Sequence, residues 1–158
     1  MDENTASNKN DEQNIGSKKM TEHQEREVEV ATGAFIIHSG KIFLATGSKF
    51  HDKWTVPGGH VDYRETSKDC IEREVKEEIS VDVKAIELFS VQEAVHHTVK
   101  GRDRHFIFLN WKCEIVSGEP KVDGNEFTKM IWMNINEAMK DPNVMPTVRE
   151  GLKKLVKG

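Results

Sequence analysis

Cysteine is scarce in this sequence, with only Cys70 and Cys113 present. They lie far apart and lack CxxC spacing, so neither a disulfide framework nor a thiolate metal cage organises the chain. Long apolar runs are absent too, as is the basic and then apolar pattern of a secretory leader. A soluble, cytoplasmic protein with no membrane partner is expected. Nor is there an excess of positive charge: 23 Lys and Arg stand against 27 Asp and Glu, a formal charge of −4. That balance offers no broad cationic face to a phosphodiester backbone, so polymeric nucleic acid is not an expected partner.

The first 25 residues, MDENTASNKNDEQNIGSKKMTEHQE, contain almost no large apolar side chains. Such a segment cannot offset the entropy lost on ordering, and a mobile tail is expected, with the folded domain over residues 26–158. Met20 would serve as an alternative start. The length suits one domain with a sizeable core, and no internal repeat is evident.

From Val28 the pattern changes to VEVATGAFIIHSGKIFLAT, two β-rich runs separated by Ser39-Gly40, which suits a hairpin. A polar loop, GSKFHDK, leads to the short strand Trp54-Thr55-Val56. Pro57-Gly58-Gly59 then stops that strand and permits unusual backbone angles. From Thr66 to Ile79 strong helix formers run without Gly or Pro, and Thr66 or Ser67 is available to cap the start. Strands are expected from Val81 to Val99 with a break, from His105 to Val116 and from Lys129 to Met133. Helices are expected from Ile135 to Lys140 and from Thr147 to Val156. Strands before and after helices imply a mixed sheet with helices on its faces, an α/β class.

The helix over 66–79 is double-edged. At about 100° per residue, Ile71, Val75 and Ile79 share one stripe, and Glu74, Glu77 and Glu78 share the next. Glutamates at i, i+3 and i+4 repel one another by a few tenths of a kcal/mol each, so a compensating cation is expected. EREVKEE by itself also suits a solvated helix face. A hard divalent ion accepts carboxylates, waters and substrate phosphates as ligands, and lowers the pKa of a bound water that a free carboxylate can then deprotonate.

Gly59 to Val81, GHVDYRETSKDCIEREVKEEISV, resembles the Nudix box: G, five residues, E, seven residues, then R-E-U-x-E-E-x-G-U with U aliphatic. Gly59, Glu65, Arg73, Glu74, Val75, Glu77, Glu78 and Val81 match. Ser80 departs, standing where the family has Gly just past the helix, in a place that favours a left-handed residue. Altered loop geometry or modest instability is expected from it, rather than lost catalysis. WTVPGGHV resembles the family's approach to the box and Trp132 its later strand, so the likeness covers roughly residues 28–155. It implies the Nudix fold, an α/β/α sandwich around a mixed β-sheet.

The resemblance also implies roles. Glu74, Glu77 and Glu78 would bind Mg2+, or Mn2+, with the carbonyl of Gly59; Glu126, six residues before Trp132, resembles a loop glutamate that completes the site in some members. Glu74 is assigned as general base, with Arg73 and Glu65 as a pair that shapes the site. Cys70 reads as a small buried hydrophobe. Candidates for phosphate contact are Lys53, Arg102 and Arg104, and for a base or ring Phe50, His60 or Trp132. His96 and His97, adjacent on a strand, would point apart and not share a metal. The expected partner is a small-molecule nucleotide, and the expected state a monomer or homodimer. The expected reaction is cleavage of a nucleoside diphosphate linked to another group, first a nucleoside triphosphate and second ADP-ribose or another sugar nucleotide. A nucleotide-binding module without hydrolysis is the reading from another class.

Overall fold

The computed structural model describes residues 27–99 and 101–158, so the tail expected over residues 1–25 lies outside them. The elements are β1 (Val28–His38), β2 (Lys41–Thr46), a 3-10 turn (Ser48–Phe50), α1 (Ser67–Ile79), β3 (Asp82–Val99), β4 (Arg102–Ser117), β5 (Lys129–Asn134), the short α2 (Ile135–Ala138) and α3 (Pro146–Lys157). The five strands form one sheet in the order β3-β4-β1-β2-β5. Only β1 and β4 are parallel; the other neighbours are antiparallel, which makes the sheet mixed as expected.

The central strands are buried on both faces, which is why β1 and β2 read as near-continuous apolar runs. Ala34, Ile36, Phe43 and Ala45 pack on one face against Ile71, Val75 and Ile79 of α1. Phe35, Ile42 and Leu44 pack on the other against Val148 and Leu152 of α3. Alternate residues of one strand thus serve opposite helices, giving an α/β/α sandwich.

Element ends shift by a few residues, β4 starting at Arg102 and α2 ending at Ala138, and two larger features differ from expectation. Trp54-Thr55-Val56 is not a free-standing strand, because its residues make isolated bridges, Ala45 to Thr55 and Trp54 to Val144. The expected break in the 81–99 strand is instead a set of register shifts along continuous β3–β4 pairing, at Asp82/Val83, Ala85/Glu87, Leu88/Ser90 and Ala94/His97. A bulge re-aims a strand without ending it, and composition alone does not separate the two.

Candidate active site

The site forms where the sheet opens. β1 and β2 pair only at Ile37 with Ile42 and His38 with Lys41, then diverge. The segment 55–61 fills the gap with backbone hydrogen bonds to both strands. Thr55 exchanges bonds of 2.9 Å with Ala45 of β2; on the β1 side Ala34 N–H donates to Pro57 O and Thr32 N–H to Gly59 O, both at 2.8 Å. Close approach requires the first glycine, since a Cβ on Gly58 would lie 2.0 Å from the Thr32 carbonyl oxygen; one on Gly59 would lie 2.4 Å from the carboxylate carbon of Glu74 and displace that side chain.

Helix α1 stands over this turn. Thr66 caps its start by accepting from Asp69 N–H at 3.1 Å. Ser80 ends it in the left-handed region, φ 64 and ψ 25, with its N–H donating to Lys76 O. The chain therefore adopts the glycine-type exit with a serine, at a cost of roughly 1 kcal/mol.

Charge compensation on the helix differs from expectation. The Arg73 guanidinium binds Glu65 through two bonds, 2.7 and 2.9 Å, and reaches Glu74 at 2.9 Å, Glu77 at 3.3 Å and Asp62 at 3.3 Å. One planar cation therefore offsets part of the repulsion, at Glu74 and Glu77, and does not reach Glu78. Its hydrogen bonds hold the Glu65 carboxyl down to about 2, and Glu65 in turn raises Arg73 above its already high range. Glu77 is drawn outward with them, its side chain 59% exposed.

Glu78 is different. It is 8% exposed, its Oε1 accepts from Gly58 N–H at 3.3 Å, and its Oε2 is buried with no hydrogen-bond partner among the described residues. Burial, then the nearby charge of Glu126, then Glu74 push its carboxyl far above the ordinary range. Glu74, Glu78 and Glu126 line one cleft of about 320 Å³. Lys49 lines it too and holds Glu126 at 2.7 Å. Among the described residues no three acid, His or Cys side chains converge tightly enough to form a ready coordination sphere. Arg73 and Lys49 are paired with two of these carboxylates, Glu74 and Glu126. A buried carboxylate oxygen unpartnered among the described residues, sharing a cleft with two more carboxylates, is an all-oxygen donor set, and it suits a hard divalent cation. The Gly59 carbonyl is already pinned by the N–H and, at 3.1 Å, the hydroxyl of Thr32.

The far end of the cleft is aromatic. Phe106 and Phe108 stack at 5.1 Å, and His97 meets both edge-on at 5.5 and 5.4 Å. Burial and then the Arg104 charge lower the His97 pKa, favouring the neutral ring. His96 points to solvent and pairs with Asp103, so the two histidines do point apart.

Of the sequence-derived candidates, Phe50, His60 and Arg104 line this cleft and Lys53 does not; Lys53 belongs to an adjoining cleft of about 640 Å³. Arg104 is already engaged, donating twice to Glu29 and lying over the Phe106 ring, which places it at the aromatic end and not among the carboxylates. Arg102 pairs with Val99 at the β3–β4 turn, outside the cleft lining. Trp132 packs edge-on to Phe43 against the core and does not line the cleft. Phe50 stacks on Phe127 at 5.4 Å, and His60 sits 3.0 Å from Glu29. Cys70 is buried beside Thr32 and the His60 carbonyl, its thiol pushed up to about 11 mainly by burial. The sequence reading missed Lys49, Gln92, Phe106, Phe108 and Asn110. An asparagine amid the apolar alternation of HFIFLNW was the one available signal.

The Nudix domain model matches residues 28–155. With the glycine turn, the capped helix and its carboxylates in place, the chain belongs to the Nudix family. It is 28% identical over 100 residues to the mRNA-decapping enzyme subunit 2 of Saccharomyces cerevisiae (strain YJM789), a match that covers 63% of this chain and 10% of that one. The chain thus spans about a tenth of that relative's length. Against the 8-oxo-dGTP diphosphatase of Escherichia coli (strain K12) identity is 26% over 113 residues, 70% of this chain and 82% of the relative. The solved MutT NUDIX hydrolase of Burkholderia pseudomallei superposes with a TM-score of 0.69 at 23% identity, over 82% of this chain and 98% of that one, and shares the fold. Among the described residues no helix is long and apolar enough to cross a membrane.

Proposed function

We propose that this chain is a Mg2+-dependent pyrophosphohydrolase that cleaves a nucleoside triphosphate to the monophosphate and pyrophosphate. The observation that carries the reading is Glu78 Oε2, a buried carboxylate oxygen without a hydrogen-bond partner among the described residues, in a cleft shared with Glu74 and Glu126. Mg2+, or Mn2+, would be held by Glu74, Glu78 and Glu126, with Glu77 and the Gly59 carbonyl as further oxygen donors once freed of Arg73 and the Thr32 hydroxyl. When bound, the cation neutralises phosphate charge and acidifies a water.

The chain's own residues do the rest. Glu74, seated against Gly59 and steadied by Arg73, takes the proton of the attacking water on its carboxylate. The water oxygen bonds to phosphorus, one phosphoanhydride P–O bond breaks, and pyrophosphate departs with that bond's electron pair. Arg73 and Glu65 keep Glu74 in position. Lys49, beside Glu126 at the cleft wall, would offer its ammonium to the phosphate oxygens. The aromatic end receives the base.

Incubation of the purified chain and Mg2+ with nucleoside triphosphates, ADP-ribose and sugar nucleotides, with product analysis, tests this. Pyrophosphate and monophosphate from a triphosphate are expected. Turnover confined to ADP-ribose or sugar nucleotides would overturn the substrate assignment. Bound but uncleaved ligand in both Mg2+ and Mn2+ would overturn hydrolysis.

A further inference from the structure

Three strands bring a polar relay to the aromatic end of the cleft. Asn110 lies on the same face of β4 as Phe106 and Phe108, and in the parallel register with β1 these residues stand opposite Gly33, Glu29 and Ala31. Ala31 and Gly33 are small, so β1 leaves a shallow floor between taller walls. On β3, Ser90 stands opposite Asn110 and Gln92 opposite Phe108.

The amides of this relay are oriented from outside. Gln92 Nε2 donates to the Thr147 carbonyl near the start of α3 at 3.0 Å. That bond turns Gln92 Oε1 inward, where it accepts from Asn110 Nδ2 at 2.6 Å; the same Nδ2 also reaches Ser90 Oγ at 3.5 Å. With its nitrogen committed, Asn110 must present Oδ1 in the opposite sense. That oxygen sits over Gly33, where an added Cβ would stand 2.6 Å away. Asn110 is 3% exposed, and among the described residues its Oδ1 receives no hydrogen bond. Thr147, Gln92 and Asn110 all line the cleft. A fixed acceptor that opens into the cleft over Gly33, close to Val56, is placed to take a hydrogen bond from a ligand.

We infer that Asn110 is a specificity-determining residue that reads the base, accepting through Oδ1 from an exocyclic amino or ring N–H group of a planar heterocycle laid over Gly33 and Ala31. Gln92 is its positioning residue. The selected ligands are nucleotides whose base carries an N–H donor on the edge away from the sugar, and the same heterocycle stripped of that donor is disfavoured. The inference rests on the nucleotide reading above and adds which chemical edge is recognised.

Binding without turnover separates the two. α,β-Methylene triphosphates are titrated calorimetrically in Mg2+ as matched pairs: deoxyadenosine against deoxynebularine, which lacks the 6-amino group, and deoxycytidine against deoxyzebularine, which lacks the 4-amino group. In the wild type at least one pair is expected to differ by about tenfold in favour of the amino form, as befits one hydrogen bond to a fixed acceptor. Asn110→Leu is expected to bring that ratio to about one. Gln92→Leu, which keeps Asn110 but frees its amide to rotate, is expected to reduce the ratio by a smaller factor and keeps the test open should Asn110→Leu not fold. A packing role alone would weaken both members of a pair equally. The absence of discrimination in wild type, or a ratio unmoved by either variant, would overturn the inference. Hydrolysis of the parent triphosphates, followed separately, reports on the proposed reaction and not on the base edge.

Discussion

The two ends of the cleft are built on opposite plans. At the carboxylate end the groups come mainly from one helix and the turn before it, so their spacing in sequence is close to their spacing in space. At the aromatic end Asn110, Gln92 and Gly33 come from three strands, and Thr147 from the start of α3. The first end can be read as a motif. The second exists only once strand register is known, since a shift of one residue would send Phe106, Phe108 and Asn110 to the other face. The proposed chemistry is therefore written locally and the proposed selectivity non-locally.

The sharpest way to test that contrast is to disable the local end alone. Glu74→Gln removes one charge at nearly constant volume and is expected to lower turnover by about 10²- to 10⁴-fold, as expected for loss of a positioned base, with little change in melting temperature. Near wild-type turnover would move the base elsewhere. On the other edge of the same helix, Ile71 is fully buried. Ile71→Ala is expected to cost about 2–5 kcal/mol in urea unfolding while leaving the residual folded enzyme active. A large loss of kcat at full stability would dissolve the distinction between the two edges.

Glu78 links the edges through pH. Its folded pKa is raised, so above the ordinary carboxylate range the folded chain keeps a proton that the unfolded chain has lost. Metal-free stability should therefore fall as pH rises from the carboxylate range toward the folded pKa, with a limiting slope of about 1.4 kcal/mol per pH unit. Glu65, held down to about 2, contributes stability that is lost only in acid, below its unfolded value, and so does not mask this slope near neutrality. Thermal unfolding of wild type and Glu78→Gln without metal from about pH 6 to about pH 9 checks it, with the variant expected to flatten the profile. The smallest expected effect is at the helix exit. Ser80→Gly should raise stability by about 1 kcal/mol, read in urea, because φ 64 is strained for serine. No gain would mean that contacts around Ser80 already offset the strain.

Much of the fold was legible because its elements obey local rules. Thr66 caps the helix, the Ile71–Val75–Ile79 stripe anchors it, and the β1 and β2 runs are apolar enough to be buried on both faces. The bulges of β3 were not legible, since each depends on its pairing with β4. In the site, Arg73 with Glu65 follows from an eight-residue spacing along a helix entrance. Glu78 could not be told from Glu77 by letter: one helix position decides that the first is buried and the second is not. GSKFHDK offers Lys49 and Lys53 alike, and only the Ser48–Phe50 turn brings Lys49 to Glu126. Arg104 carried the right charge for phosphate, but its partner Glu29 is 75 residues away.

The account depends most on Glu78 exchanging a proton for a divalent cation. Calorimetric titration of the wild-type chain with Mn2+ near neutral pH, in buffers of different ionisation enthalpy, measures the protons released per ion bound. Release of about one proton by wild type and of almost none by Glu78→Gln is predicted. Tight Mn2+ binding with no proton released by wild type would show that Glu78 is already charged or stands outside the metal site, and would contradict the account.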